Sequence, residues 1–172
     1  MLTRRYALWA GASALALLLA NRLFGVGLDS FGLGSVSQAS ETFEVTHSDA
    51  EWRALLTPGQ YAVLRLQSTE RPFSSPLDHE QRSGIFACAG CDLPLFSSKT
   101  KYDSQTGWPS FWQPLDGAIA TSEDRFLAMV RTEVHCRRCG GHLGHVFNDG
   151  PRPTGLRYCM NGIAMTFKPV SA

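Results

Sequence analysis

A mainly β domain entered through short helices is the fold class this sequence predicts, on three observations. Two helix-start signals lie close together, at Ser48-Asp49-Ala50-Glu51 and at Thr57-Pro58-Gly59-Gln60. Beyond Ser83 the apolar residues come in short aromatic or β-branched runs bounded by Gly, Pro or Asp. Near the C-terminus Ile163, Met165 and Phe167 alternate with Ala164 and Thr166, a period of two that places the three large side chains on one face of a strand.

The elements follow in order. Ser48 begins a capping box, in which an N-cap hydroxyl and a carboxylate three residues on satisfy each other's free backbone N–H groups. The helix it opens is expected to carry Trp52, Leu55 and Leu56 inward and to stop at Pro58-Gly59. Thr57 opens a second helix with Pro58 at the first helical position, where its missing N–H is no loss, and with Tyr61, Val63 and Leu64 inward. Ser68 to Ser83 is rich in turn formers without a steady period and reads as a loop. Strands are expected at Ile85-Phe86-Ala87, Phe126 to Val134, His145-Val146-Phe147 and Leu156 to Phe167. One domain occupies residues 40–172, with its body from about Glu41 to Pro169.

Residues 1–39 read as an export signal and linker. Arg4 and Arg5 precede an apolar stretch from Ala7 to Ala20, broken only by Gly11 and Ser13. That stretch falls short of the roughly 20 residues a spanning helix needs, and matches the apolar region of an export signal. Thr3-Arg4-Arg5-Tyr6-Ala7-Leu8 is similar to a twin-arginine signal, with Ala7 in place of the usual aromatic and Trp9 in place of the frequent lysine. Ser37-Gln38-Ala39 offers small residues to a signal peptidase, so cleavage is expected after Ala39. Gly and Ser run through residues 25–37 as in a linker. The mature chain is then exported, to a periplasmic location, with no stable membrane span. The alternatives are an uncleaved anchor, since Leu23 to Leu33 is also fairly apolar, and a buried helix, which the Gly and Ser of residues 25–37 disfavour.

Composition sets the broad class. Hydrophobic residues make up 44% and charged residues 18%, which is globular and neither disordered nor fibrous. The formal net charge is +1. Residues 1–39 hold Arg4, Arg5 and Arg22 against Asp29, so without them the 16 basic and 15 acidic side chains become 13 and 14. Such a balance gives no field for a polyanion, and no nucleic-acid partner is expected.

Four of the five cysteines form two CxxC pairs, Cys88-Ala89-Gly90-Cys91 and Cys136-Arg137-Arg138-Cys139. A CxxC turn aims two sulfurs at one ion, and two such turns complete a tetrahedral S4 shell, the closed geometry of structural zinc. The 44 residues between the pairs exceed the usual ribbon spacing, so two distant turns must meet in space. Two disulfides and a redox dithiol are the rival readings, the first because export favours disulfides. Neither pair sits in the βαβ setting of a thioredoxin-like dithiol. One structural zinc is the reading adopted. It agrees with a twin-arginine signal, since that route exports protein already folded around its metal.

The fifth cysteine, Cys159, stands in Arg157-Tyr158-Cys159-Met160-Asn161-Gly162. A lone strand cysteine is more often an inert small hydrophobe. Here Asn161 and Arg157 lie two residues to either side, on the same face of a regular strand, and a cation lowers a thiol pKa. His142-Leu143-Gly144-His145 supplies two imidazoles. Positions three apart face opposite ways in a regular strand, and a bulge permitted by Gly144 would turn both rings toward one cleft. Two histidines beside a thiolate serve as proton donors. Core, surface or metal-binding histidines are the alternatives, and the filled S4 shell weakens the last.

Gly107-Trp108-Pro109-Ser110-Phe111, His142-Leu143-Gly144-His145-Val146-Phe147 with Asp149-Gly150-Pro151, Arg157-Tyr158-Cys159-Met160-Asn161, Glu70-Arg71-Pro72-Phe73-Ser74-Ser75-Pro76 and both CxxC pairs together resemble the B-type methionine sulfoxide reductases. The resemblance runs from about Phe43 to Pro169 in the family's order. It implies two antiparallel sheets and a zinc held by Cys88, Cys91, Cys136 and Cys139 away from the active site. It implies reduction of the R epimer of methionine sulfoxide, in peptides more readily than as the free amino acid. By resemblance Cys159 is the nucleophile, surrounded by His142, His145 and Asn161, while Trp108 and Phe147 hold the substrate methyl group with Arg157 assisting. Thiolate attack would leave Cys159 as sulfenic acid. The partners implied are oxidised proteins or peptides and a thioredoxin-like or other thiol reductant. This chain departs from the family at Thr106, where many members carry a resolving cysteine, and at Gly162, where serine is usual. The competing classes are a zinc-ribbon binding module, which leaves His142, His145 and Cys159 unexplained, and a thiol oxidoreductase cycling its CxxC pairs.

Overall fold

The structure is a computed structural model that describes residues 42–126 and 129–170. The expected export signal and its cleavage site lie outside the described residues. Among the described residues no helix is long and apolar enough to cross a membrane.

Two short helices open the chain, α1 (Asp49–Leu55) and α2 (Pro58–Leu66), each with the capping box expected of it. Trp52 and Leu56 are buried, as are Tyr61, Val63 and Leu64 of α2. Leu55, expected to face inward, is 61% exposed. The first helix is only 7 residues long, and the pair four apart, Trp52 and Leu56, defines its buried stripe. Gln67 ends α2 in the left-handed conformation, with φ 54°. The stretch read as a loop holds one 3-10 turn, Pro76–His79, capped by Ser75.

Among the described residues nine strands follow: β1 (Gly84–Cys88), β2 (Pro94–Ser97), β3 (Lys101–Tyr102), β4 (Ser110–Phe111), β5 (Ile119–Phe126), β6 (Met129–Cys136), β7 (His142–Phe147), β8 (Arg157–Met160) and β9 (Met165–Pro169). They form two antiparallel sheets, one of order β2-β1-β9 and one of order β3-β4-β8-β7-β6-β5. The class is mainly β with short N-terminal helices, as expected.

Two expected strands divide differently. Phe126 to Val134 is not one strand: β5 ends at Phe126, which pairs with Met129 at the start of β6. No Gly, Pro, Asn or Asp stands between these residues, so the reversal leaves no turn signal in the sequence. Leu156 to Phe167 is also two strands, β8 and β9, in different sheets. A 3-10 turn at Gly162–Ala164 separates them. Ile163 therefore does not share a strand face with Met165 and Phe167. Within β9 the alternation holds, Met165 being buried and Thr166 exposed.

Aromatic side chains join the sheets. Phe96 of the smaller sheet stacks on Phe111 of the larger, with centroids 4.3 Å apart, and Phe86 meets Phe111 edge-on at 4.9 Å. Burial of such side chains contributes roughly 1.5–3 kcal/mol each. Met160, Val134 and Phe111 turn the same face of the larger sheet into this core. Its other face is left for polar chemistry.

Candidate active site

Strand register brings the sequence-predicted residues together. Directly opposite residues on neighbouring strands point to the same face. Ser110 faces Cys159, Cys159 faces His145, His145 faces Glu133, and Glu133 faces Ser122, so five strands present one row across the sheet. Arg157 faces Phe147 two residues along the same face. Tyr158 and Met160 alternate with Arg157 and Cys159, and Met160 is fully buried on the core side.

The two histidines meet through a bulge. Val134 faces Gly144 while His135 faces His142, so Leu143 is the extra residue of β7. The rings of His142 and His145 then lie 5.4 Å apart, lining one cavity of about 500 Å³ with Gln67, Ser68 and Arg131. Gly144 is required for close approach, because a Cβ there would lie 2.1 Å from the carbonyl oxygen of Cys159. Gly144→Ala is expected to cost roughly 3 kcal/mol by forcing β7 from β8. An unchanged urea midpoint would refute this.

Two carboxylates that sequence reasoning missed hold these rings. Glu133 Oε1 lies 2.7 Å from His142 Nδ1, and also accepts from Gln67 Nε2 at 3.2 Å. Its other oxygen accepts from Ser122 Oγ at 2.7 Å. The left-handed turn at Gln67 thus aims a helix end at the site. Asp124 Oδ2 lies 2.8 Å from His145 Nε2 and 2.6 Å from Arg131 Nη2. Neither acid carried a spacing signal; only the register of β5 and β6 delivers them. His142 Nε2 is buried and makes no hydrogen bond among the described residues.

The electrostatics follow from these partners. The hydrogen bond from His142, opposed by burial and helped by Ser122, holds the Glu133 carboxyl at about 2. Burial lowers the His145 pKa, with the Asp124 hydrogen bond opposing it. A carboxyl depressed from 4.5 to about 2 on folding stabilises the protein above its unfolded pKa, and that contribution is lost as pH falls from 4.5 through 2. Glu133→Gln is expected to flatten the acid limb of the stability–pH curve over that window, and to cost roughly 3 kcal/mol at neutral pH by breaking a buried pair. Melting curves between pH 2 and 7 check both; an unchanged acid slope counts against the pairing.

Cys159 is half-buried. Its sulfur lies 3.9 Å from Thr106 Oγ1, so the residue at the usual resolving position touches it. Arg157 was expected to lower the thiol pKa. Burial instead pushes the Cys159 thiol up, outweighing Thr106 and Arg157. The guanidinium is shared: its Nε and Nη2 each donate to Asp149 at 2.8 Å, and it lies over the Phe147 ring at 4.4 Å.

Asn161 and Trp108 converge on a residue given no role from sequence, Glu70. Trp108, half-buried, donates its indole N–H to the Glu70 carbonyl at 3.2 Å. The Glu70 N–H donates to Asn161 Oδ1 at 2.9 Å, while Asn161 Nδ2 donates to the Leu143 carbonyl at 3.1 Å. The Glu70 carboxylate accepts from the backbone N–H groups of Gly162 and Ile163 at 2.5 and 3.0 Å. Asn161 was expected beside Cys159 on its strand face. The strand ends at Met160, and the Asn161 amide instead ties the bulge of β7 to the loop under Trp108. The only sequence signal for Glu70 was its place in the Glu-Arg-Pro-Phe run.

The two CxxC turns meet. Cys88 ends β1 and Cys136 ends β6. Their sulfurs lie 3.7 Å from Cys139 and 3.5 Å from Cys91 respectively, and all four fall within 4.8 Å of one another. Four sulfurs about 2.3 Å from one ion stand about 3.8 Å apart in a tetrahedron, so the donor set fits a metal such as zinc. Gly140 turns the second pair with φ +66°. Cys136 lies on the core side of β6, the opposite face of the sheet from Cys159.

Comparison with known proteins agrees with this geometry. The SelR domain matches residues 56–169. A peptide methionine sulfoxide reductase MsrB from Agrobacterium fabrum is 55% identical over 128 residues, covering 74% of this chain and 95% of that protein. One of the same name from Pseudomonas putida is 56% identical, covering 69% and 90%. Another from Leptospira interrogans is 53% identical, covering 73% and 97%. A match of this extent, over a body that carries both CxxC turns and the Cys159 row, makes the chain a member of the SelR-domain family, the B-type methionine sulfoxide reductases.

Proposed function

We propose that this chain reduces peptide-bound L-methionine (R)-S-oxide to methionine, with Cys159 as nucleophile. The observation that carries the reading is the row Ser110, Cys159, His145, Glu133, which sets a thiol opposite a carboxylate-anchored histidine whose ring lies 5.4 Å from a second, His142. The sulfur of Cys159 attacks the sulfoxide sulfur. The sulfoxide oxygen takes up a proton and passes to Cys159, leaving methionine and a sulfenic acid. His142, anchored through Nδ1, offers Nε2 to that oxygen, and His145 is the second candidate donor. Trp108, oriented by Glu70, and Phe147, under Arg157, supply apolar walls for the methyl group. Asn161 supports the site by positioning Glu70 and β7. A zinc-ribbon binding module would make no use of this row. The test is an assay with separated R and S epimers of a methionine sulfoxide peptide. Turnover confined to the R epimer is expected; turnover of neither sinks the proposal.

The four-cysteine cluster holds one structural zinc in this reading, with no open position for catalysis. An external thiol, such as a thioredoxin-like protein, restores Cys159. Residues 1–39 direct export by the twin-arginine route, and residues 40–172 form the mature reductase. Replacing Arg4 and Arg5 with lysine is expected to hold the precursor in the cytoplasm; unchanged export would reject that route.

A further inference from the structure

We infer that Thr106, Ser104 and Ser110 form a hydroxyl chain that stabilises the ionised form of Cys159, with Thr106 as the positioning residue that donates to the sulfur. The inference rests on the proposed reading of Cys159 as nucleophile. Thr106 Oγ1 lies 3.9 Å from Cys159 Sγ. Ser104 Oγ lies 2.8 Å from Thr106 Oγ1 and 2.7 Å from Ser110 Oγ. Ser110, fully buried, donates to the Trp108 carbonyl at 3.1 Å.

Proton counting fixes how this chain responds to charge. Each hydroxyl has one proton to donate, and a backbone carbonyl can only accept. While Cys159 is a thiol, the donors run one way: thiol to Thr106, Thr106 to Ser104, Ser104 to Ser110, Ser110 to the Trp108 carbonyl. A thiolate can only accept. On ionisation the three hydroxyls rotate, so that Thr106 donates to sulfur, Ser104 to Thr106 and Ser110 to Ser104. Each hydroxyl keeps its own proton, and the thiol proton leaves to water or a base. Two neutral bonds, the weak one from the thiol and the one to the Trp108 carbonyl, give way to one to a charged sulfur, and charge-assisted bonds are roughly twice as strong as neutral ones. Each hydroxyl thus donates one bond in both states without movement of heavy atoms, and the Trp108 carbonyl gives up its Ser110 bond on ionisation.

Other groups around Cys159 share the sulfur with this donor. Arg157 gives two N–H groups to Asp149 and also favours the thiolate by its charge and by a hydrogen bond, as Ser110 does by a hydrogen bond. His145, opposite Cys159 on β7, is committed to Asp124 through Nε2. Tyr102 faces Ser110 from β3, and burial raises its phenol so that it stays neutral. Burial works against the Cys159 thiolate, with Thr106 first among the groups that oppose it.

The test is the pH dependence of iodoacetamide alkylation at Cys159 in the zinc-loaded protein, localised by peptide mass. Thr106→Val is expected to raise the midpoint by about one unit, the worth of one hydrogen bond to a charged group. Thr106→Ser should restore the wild-type midpoint. Ser104→Ala, which touches no sulfur, should shift it in the same direction by less. A wild-type midpoint in Thr106→Val, or failure of Thr106→Ser to restore it, overturns the role of Thr106. A wild-type midpoint in Ser104→Ala overturns the chain. Alkylation does not depend on turnover, so failure of the reductase reading would show separately, as an inactive wild-type protein.

Discussion

Cys136→Ser is expected to leave the domain unfolded at 25 °C and unable to retain zinc. The residue closes a shell whose other members come from two turns far apart in sequence, Cys88 at the end of β1 with Cys91 just after it, and Cys139 after β6. Zinc held by four thiolates contributes on the order of 10 kcal/mol to folding. A domain of this size has a total stability of about 5–15 kcal/mol, so loss of one ligand removes most of it. Cys88, Cys136 and Cys139 are also part of the buried core, and an unpaired thiolate left there has no compensation. The same loss should follow stripping of the metal with a chelator, and zinc added back during refolding should reverse it. Circular dichroism melting with zinc content per chain is the measurement. Retention of both the metal and the melting temperature by Cys136→Ser would overturn the assignment. Cys159→Ser serves as the control, because that residue lies on the opposite face of the sheet and should keep both.

The parts of the fold that were legible before any coordinates are those with local physical causes. Both capping boxes are complete within four residues, and both helices begin where they predict. The CxxC turns announce themselves because two sulfurs on one turn have few other uses. Illegible features depend on long-range register. The short strands β3 and β4, only 2 residues each, carry no period, and the β5–β6 reversal has no turn former to mark it. Asp124 and Glu133 look like ordinary exposed strand acids in the sequence. They reach His145 and His142 only because β5, β6 and β7 pair in one register. The bulge illustrates both halves. Gly144 marks the place in the sequence, but the extra residue is Leu143, and the glycine is needed for the approach of β8. Asn161 lies one residue past the end of β8, so period-two reasoning from the strand does not fix where its side chain points.

The largest effect on chemistry is expected at Cys159. Cys159→Ser should lose turnover by at least about a thousandfold, as for removal of a nucleophile that acts as a unit with its proton donors, while still folding around zinc. The second half of the cycle then follows from what surrounds the sulfur. A sulfenic acid is normally resolved by a neighbouring thiol, which condenses with it to a disulfide and releases water. The side chain touching Cys159 here is Thr106, 3.9 Å away, and a hydroxyl cannot form that bond. The remaining thiols are those of the four-cysteine cluster, three of them buried in the core. On the proposed mechanism the sulfenic acid would persist until an external thiol attacks it, giving a mixed disulfide that a second thiol reduces. One turnover without reductant should leave Cys159 reactive toward a sulfenic-acid trap, one oxygen heavier, with zinc still bound. Thr106→Cys places a thiol against the same sulfur, and under the same conditions should yield an internal disulfide and no trapped adduct. Formation of an internal disulfide in the wild-type chain, accompanied by zinc release, would mean that a metal ligand resolves the intermediate and that the one-cysteine cycle is wrong.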